Sequence, residues 1–263
     1  MRTAYVYPIH KRLLFFAAVA FILVMNYLSF AIPFGGQSNA EVSAAYPTLL
    51  TPASYAFSIW SVIYISLIVF AFFQYSKGKE LRFYKLIWPY FMVNALANGL
   101  WLVAFQNEWF FLSFVLIGIL LGTLFAKFRL FYRLKSALST THRYFFHLPF
   151  GIYFAWVSVA TILNAAILIS SLEISFFQRT DELWALIMIV IALGVAMYVL
   201  LSQKDYIFAL TFVWAFSAIM FGNYDVDLVR YPAKIAGILL LASSAVLFTS
   251  DRIRMAQYGQ SRS

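Results

Sequence analysis

The sequence predicts an all-α integral membrane protein, a bundle of eight transmembrane helices with both termini cytoplasmic. Three observations carry that prediction. Of 263 residues, 63% are hydrophobic and 11% charged, against roughly 45–50% and 25% in soluble globular chains. Eight apolar runs of helix-spanning length can be drawn, at about 13–33, 54–75, 86–106, 109–127, 146–171, 183–202, 206–222 and 232–250. None alternates apolar and polar residues as a barrel strand does; Ala185-Leu-Ile-Met-Ile-Val-Ile-Ala-Leu193 is typical. The basic residues then set orientation, because Lys and Arg stay on the cytoplasmic side during insertion. With the amino terminus inside, all of the 19 basic residues except Arg179, Arg230 and Lys234 fall in cytoplasmic segments. The net charge of +9 therefore reads as topology and attraction to anionic headgroups of membrane lipids, not as nucleic-acid binding.

The first run follows His10-Lys11-Arg12 and, at about 20 residues, exceeds a signal-peptide core, so it reads as a retained signal-anchor helix. The connection from Pro33 to Ala53 is the longest external one, punctuated by Gly35-Gly36, Tyr46-Pro47 and Thr51-Pro52, and long enough to fold over the outer mouth of the bundle. In the second run Pro52 suits a first helical turn, and Trp60 and Tyr64 follow four residues apart on one face. The third run puts Asn94, Asn98 and Trp101 at i, i+4 and i+7, one stripe of two amides and an indole. Gln106-Asn107-Glu108 forces a tight helical hairpin into the fourth run. The basic segment from Lys127 to Phe146 is expected along the headgroups.

The fifth run carries the most informative pattern. Tyr153, Trp156, Ala160 and Asn164 fall within roughly 80° of one another on a helix. Two amphipathic rings, a small residue and an amide facing a membrane bundle form a wall for a flat hydrophobic ligand with a polar edge. The competing reading is helix packing, in which small residues and amides join neighbouring helices. After a turn region from Glu173 to Glu182, three plainer runs follow, with only Trp184 and Trp214 among their indoles. That break divides the chain into residues 1–172 and a three-helix extension, 173–263, ending in a polar tail.

Absent residues narrow the chemistry. There is no cysteine, so disulfides, thiolate metal sites and a thiol nucleophile are excluded. No cluster has metal-ligand spacing, no paired carboxylate or Gly-rich phosphate loop occurs, and His10, His142 and His147 lie near membrane boundaries. The spans read as lacking ionisable residues at their centres, where ion-coupled transporters carry them. Neither a metal nor a cofactor is called for.

Residues 1–172 resemble the tryptophan-rich sensory protein family, also called the translocator protein or peripheral benzodiazepine receptor family. The resemblance rests on Pro52 with Trp60 and Tyr64, on Asn98-Gly-Leu-Trp101, and on Tyr153-x-x-Trp156-x3-Ala160-Thr161-x-x-Asn164. It implies a five-helix unit that binds porphyrins, and in some members sterols, beneath the first long loop. Trp60, Asn98, Trp101, Tyr153, Trp156 and Ala160 are then pocket residues, to which the stripes add Tyr64, Asn94 and Asn164. The family's loop motif of Trp and two prolines is reduced here to Leu49-Leu50-Thr51-Pro52, and the last three runs lie outside the five-helix pattern. A homodimer and a bacterial inner-membrane location are further expectations. The leading functional expectation is a sensor or carrier for a tetrapyrrole or sterol-like molecule. Behind it stand a transporter of a small uncharged or amphipathic solute, and slow oxidative breakdown of a bound porphyrin using Trp60 and Trp156.

Overall fold

The computed structural model describes residues 8–46, 48–77, 82–172 and 181–260. The turn region expected at 173–182 thus lies mostly outside the described residues, as do Arg2, Lys79, Arg179 and Arg262. Within them the chain is helical, with no strand: α1 (Ile9–Ala31), α2 (Asn39–Ala45), α3 (Ile59–Lys77), α4 (Arg82–Gln106), α5 (Phe110–Leu134), α6 (Thr140–Ser171), α7 (Asp181–Gln203), α8 (Tyr206–Gly222) and α9 (Asp227–Gln260). A 3-10 turn, Ser54–Ser58, leads into α3. Seven of these segments are long and apolar enough to cross a membrane, which makes the protein an integral multi-pass one. The eighth expected span is α8, whose 17 residues extend only about 25 Å. It is short because its ends are capped inside the bundle. The Asp205 carboxylate accepts the Phe208 N–H at 3.0 Å, and the Asn223 amide bonds the Ile219 carbonyl at 3.0 Å.

The basic stretch between the fourth and fifth spans is mostly helical, continuous with the spans on either side. α5 runs on to Leu134 and α6 begins at Thr140, so only a 3-10 turn, Lys135–Ala137, and two further residues connect them. The reason is periodicity. Ser113, Ile117, Leu120, Leu124, Lys127 and Phe131 recur on one buried face of α5, and that face continues past the first lysine. Lys127 is therefore inside the bundle and fully enclosed, toward the end of α5 and away from its centre.

α1, α4, α5, α6 and α3 pack in that order, each on the next, and α3 closes back onto α1. The result is a ring of five helices around one axis. α8 packs on the outside of α6, and α7 and α9 pack on α8, so the extension is attached chiefly through its shortest helix. At the end where α4 meets α5, a small capped element covers the ring. Ser38 and Glu41 form a reciprocal capping box at the start of α2, and its hydrogen bonds, backbone first, hold the Glu41 carboxyl below the usual carboxylate range. Tyr46 donates to Glu108 at 2.7 Å, fixing the loop to the α4–α5 hairpin. That hydrogen bond pushes the Tyr46 phenol up.

The remainder of the loop is fixed by the extension. The Ala53 N–H donates to the Ala218 carbonyl at 2.9 Å, the Asn223 amide to the Thr51 carbonyl at 3.1 Å, and the Trp214 indole to the Ala56 carbonyl at 3.3 Å. Tyr55 meets Ser217 at 3.0 Å. This approach depends on Gly222, where a Cβ would stand 2.5 Å from the Thr51 carbonyl oxygen and 2.7 Å from the Ala53 nitrogen. Both are backbone atoms that cannot swing aside. Gly222→Ala is expected to destabilise the protein by about 1–3 kcal/mol. Gly194→Ala, where a Cβ meets nothing within 4 Å, is expected to leave stability unchanged or slightly raised. Thermal unfolding in detergent compares the two, and coincident midpoints would show that the loop is not held this way.

Candidate functional site

The centre of the five-helix ring, one to two turns below the capped end, is filled by aromatic rings arranged about Trp60. Its ring lies 5.7 Å from Tyr64, stacked at 18°, and 6.0 Å from Trp101. It meets Tyr153 at 5.9 Å and Trp156 at 6.3 Å, both edge-on. Phe57, from the 3-10 turn, caps Trp156 at 6.4 Å. Edge-to-face and offset pairs of this kind are the favourable arrangements of ring quadrupoles, about 0.5–1.5 kcal/mol each beyond burial. Trp101, Tyr153 and Trp156 are buried, whereas Trp60 and Tyr64 are half-buried.

Below the indoles runs a directed chain of hydrogen bonds across four helices. Tyr64 donates its hydroxyl proton to the Asn26 side-chain carbonyl. The Asn26 amide donates to Asn98 Oδ1 at 2.9 Å, and the Asn98 amide to the Tyr153 hydroxyl oxygen at 3.0 Å. The Asn26 amide also reaches the Ile22 carbonyl of its own helix at 2.8 Å. The chain needs α1 to lie close on α4, and Gly99 allows it: a Cβ there would stand 2.7 Å from the Phe21 ring and 3.0 Å from Met25. In this region the buried Trp156 indole N–H has no hydrogen-bond partner among the described residues.

The expected site residues separate into three groups. Trp60, Tyr64, Trp101, Tyr153 and Trp156 come together as one cage, and Asn98 stands beneath it holding Tyr153. Asn164 is near but acts on the cage through another residue. Its side-chain carbonyl accepts from the Trp101 indole at 3.2 Å and from Ser113 at 2.7 Å, while its amide bonds the Ala160 carbonyl at 3.0 Å. It thereby sets the tilt of Trp101, with Ala160 supplying backbone. Asn94 does not join the cage. Its amide bonds Thr123 of α5 at 2.9 Å, an interhelical contact of the packing kind. Asn26 and Phe57 were not among the expected site residues. Asn26 sits in a span without any aromatic stripe to mark it, and Phe57 precedes the first regular turn of α3.

A family model described as TSPO-like protein matches residues 12–246. The chain belongs to the TSPO-like protein family. The match does not stop where the five-helix pattern ends. It runs through α7 and α8 and into α9, so this TSPO-like protein shares its last three helices, and not only its ring, with the family model. No curated protein and no solved structure matches the chain.

Geometrically, the TSPO-like ring centre presents several aromatic faces, a buried indole N–H without a partner among the described residues, and an amide chain. Asn98 is its node, since it is bonded to α1 on one side and α6 on the other. Replacing Asn98 with Leu removes the donor to the Tyr153 hydroxyl and leaves the Asn26 amide only its Ile22 carbonyl, and is expected to cost about 0.6–2 kcal/mol. Asn107→Leu, which loses only a 2.9 Å bond to the Val103 carbonyl of its own helix, should lie within about 0.5 kcal/mol of the parent. Equilibrium unfolding in mixed micelles reads both, and equal effects would remove Asn98 from its place as node.

Proposed function

We propose that this protein is a membrane sensor or carrier that binds a flat hydrophobic ligand, a tetrapyrrole first, in the ring centre around Trp60. The observation that carries the reading is the convergence on Trp60 of aromatic residues from α3, α4 and α6, next to a buried indole donor with no acceptor among the described residues. Membership of the TSPO-like family supports ligand binding or transport in the membrane in broad terms. The cage is closed by its own rings, so a ligand has to displace one of them. Trp60 is half-buried and moves at least cost, while Trp101 is tied to Asn164, Tyr153 to Asn98 and Tyr64 to Asn26. A planar ligand then replaces ring contacts with ring contacts and supplies an acceptor to Trp156. With the lysine- and arginine-rich end on the cytoplasmic side, the cage lies in the outer half of the membrane beneath the fixed loop.

Transport of a small uncharged or amphipathic solute is the second reading, favoured by one feature. Buried polar side chains occur repeatedly along the ring-facing side of α4, at Asn94, Asn98 and Gln106, and His147, Tyr132 and Asp205 meet at the opposite end. Protein-dependent solute uptake by proteoliposomes is its test.

For the leading reading, purified protein is titrated with protoporphyrin while tryptophan fluorescence is followed. Saturable quenching is expected, and Trp156→Ala should weaken binding by about 2 kcal/mol, roughly thirtyfold. Trp184→Ala, on α7, should bind as the parent does. Unsaturable quenching, or equal losses in the two variants, overturns the assignment.

A further inference from the structure

Lys127 has no assigned work in the cage, yet it is among the most demanding residues in the bundle. It is fully buried and lies seven residues before the end of α5 at Leu134, about 10 Å along the helix from that end. Side chains tilt toward the N-terminus of their helix, so its stem leads toward the middle of the ring and not to the near membrane surface, where a lysine would snorkel. Its Nζ sits 4.5 Å from the Phe150 ring and 5.3 Å from the Phe91 ring. Among the described residues it has no hydrogen-bond acceptor. The buried carboxylate of this end, Asp205, is already engaged by His147 at 2.8 Å, Tyr132 at 3.0 Å and the Phe208 N–H.

Two buried amides with unpartnered atoms accompany it. Among the described residues, both the oxygen and the nitrogen of the Gln74 side chain lack partners, as does Asn94 Oδ1. Gln74 is one turn beyond Phe70 on α3, and the Phe70 ring lies 5.0 Å from Phe150 and 6.5 Å from Phe91, the two rings that flank Lys127. Asn94 is one turn from Phe91, and its amide bonds Thr123, one turn before Lys127. Side chains from three helices, each with a polar atom unpartnered among the described residues, thus lie at or within one helical turn of one phenylalanine cluster. A lone ammonium in hydrocarbon is costly, and an uncompensated one is retained where something anionic pairs with it. This cluster is the next layer below the cage: Phe150 is three residues from Tyr153 and Asn94 four from Asn98, a step of about 5–6 Å along the axis.

We infer that Lys127, flanked by Gln74 and Asn94, is the anion-recognising end of the ligand site, and that the ligand is an amphipathic acid with a flat apolar body and a carboxylate on a short arm. The inference rests on the cage reading above, with the body against Trp60 and Trp156 and the arm reaching down past Tyr153. The Lys127 ammonium pairs with the carboxylate, and the Gln74 amide nitrogen donates a further hydrogen bond to it.

Protoporphyrin and its dimethyl ester, which differ only in charge and in two methyl groups, separate the possibilities when titrated against the parent protein and Lys127→Met. The parent is expected to prefer the free acid by about tenfold or more. Lys127→Met should bind acid and ester alike, with the parent's ester affinity, which also shows that the variant is folded. Equal binding of acid and ester by the parent, or a preference that survives in Lys127→Met, overturns the role of Lys127 and leaves the cage reading standing. Binding of neither by the parent overturns the cage reading and this inference with it. Should Lys127→Met fail to fold, Lys127→Gln, which keeps a donor without the charge, takes its place, and an undiminished acid preference there overturns the inference.

Discussion

A side-chain amide placed in hydrocarbon has no water to turn to, and the middle of this bundle is organised by that constraint. Asn98 is where it is met most completely. Its oxygen accepts a hydrogen bond from the Asn26 amide and its nitrogen donates one to the Tyr153 hydroxyl, so α1, α4 and α6 are held at one level, and Tyr64 adds α3 to the same chain through Asn26. Hydrophobic burial cannot fix such a level, because lipid tails are as apolar as the helices they surround. Directional bonds can. The rings about Trp60 stand on this floor, and their mutual angles follow from where the floor places Tyr64 and Tyr153.

The other end of the bundle applies the same rule with charge. Asp205 caps α8 from within and is shared by a histidine of α6 and a tyrosine of α5. That single carboxylate joins the five-helix ring to the extension. One residue earlier, Lys204 in the left-handed region (φ 55°) turns the chain between α7 and α8 and bonds Asp251 of α9. The extension is therefore fastened at both ends of α8, by Asp205 below and by the backbone of residues 51–56 above.

Much of the cage could be read from spacing alone. Trp60 with Tyr64, Asn98 with Trp101 and Tyr153 with Trp156 recur at helical intervals in long apolar runs, and three such stripes in a bundle have few places to face except inward. What spacing cannot show is which partner an amide chooses. Asn94 and Asn98 share a stripe, yet one bonds Thr123 across to α5 and the other Tyr153 on α6, because one turn of α4 faces a different neighbour. Asn26 depended on a close approach that Gly99 permits and that only the packed structure reveals. Lys127 is a different case. Its neighbours in sequence, Arg129 and Arg133, made it look like part of a basic membrane edge, but its own position in the heptad of Ser113, Leu120 and Leu124 already put it on the buried face of α5.

The fixed loop has a consequence for time as well as for space. A surface loop of this length, left to itself, fluctuates in nanoseconds to microseconds. Here the segment that leads into Trp60 shares backbone and side-chain hydrogen bonds with α8, and the foot of α8 is anchored by a buried carboxylate. To lift that segment, a packed helix has to shift with it, a collective motion of microseconds to milliseconds. If the ring centre takes a ligand as proposed, entry from this side is slowed to the pace of helix displacement, and release runs on the same slow clock.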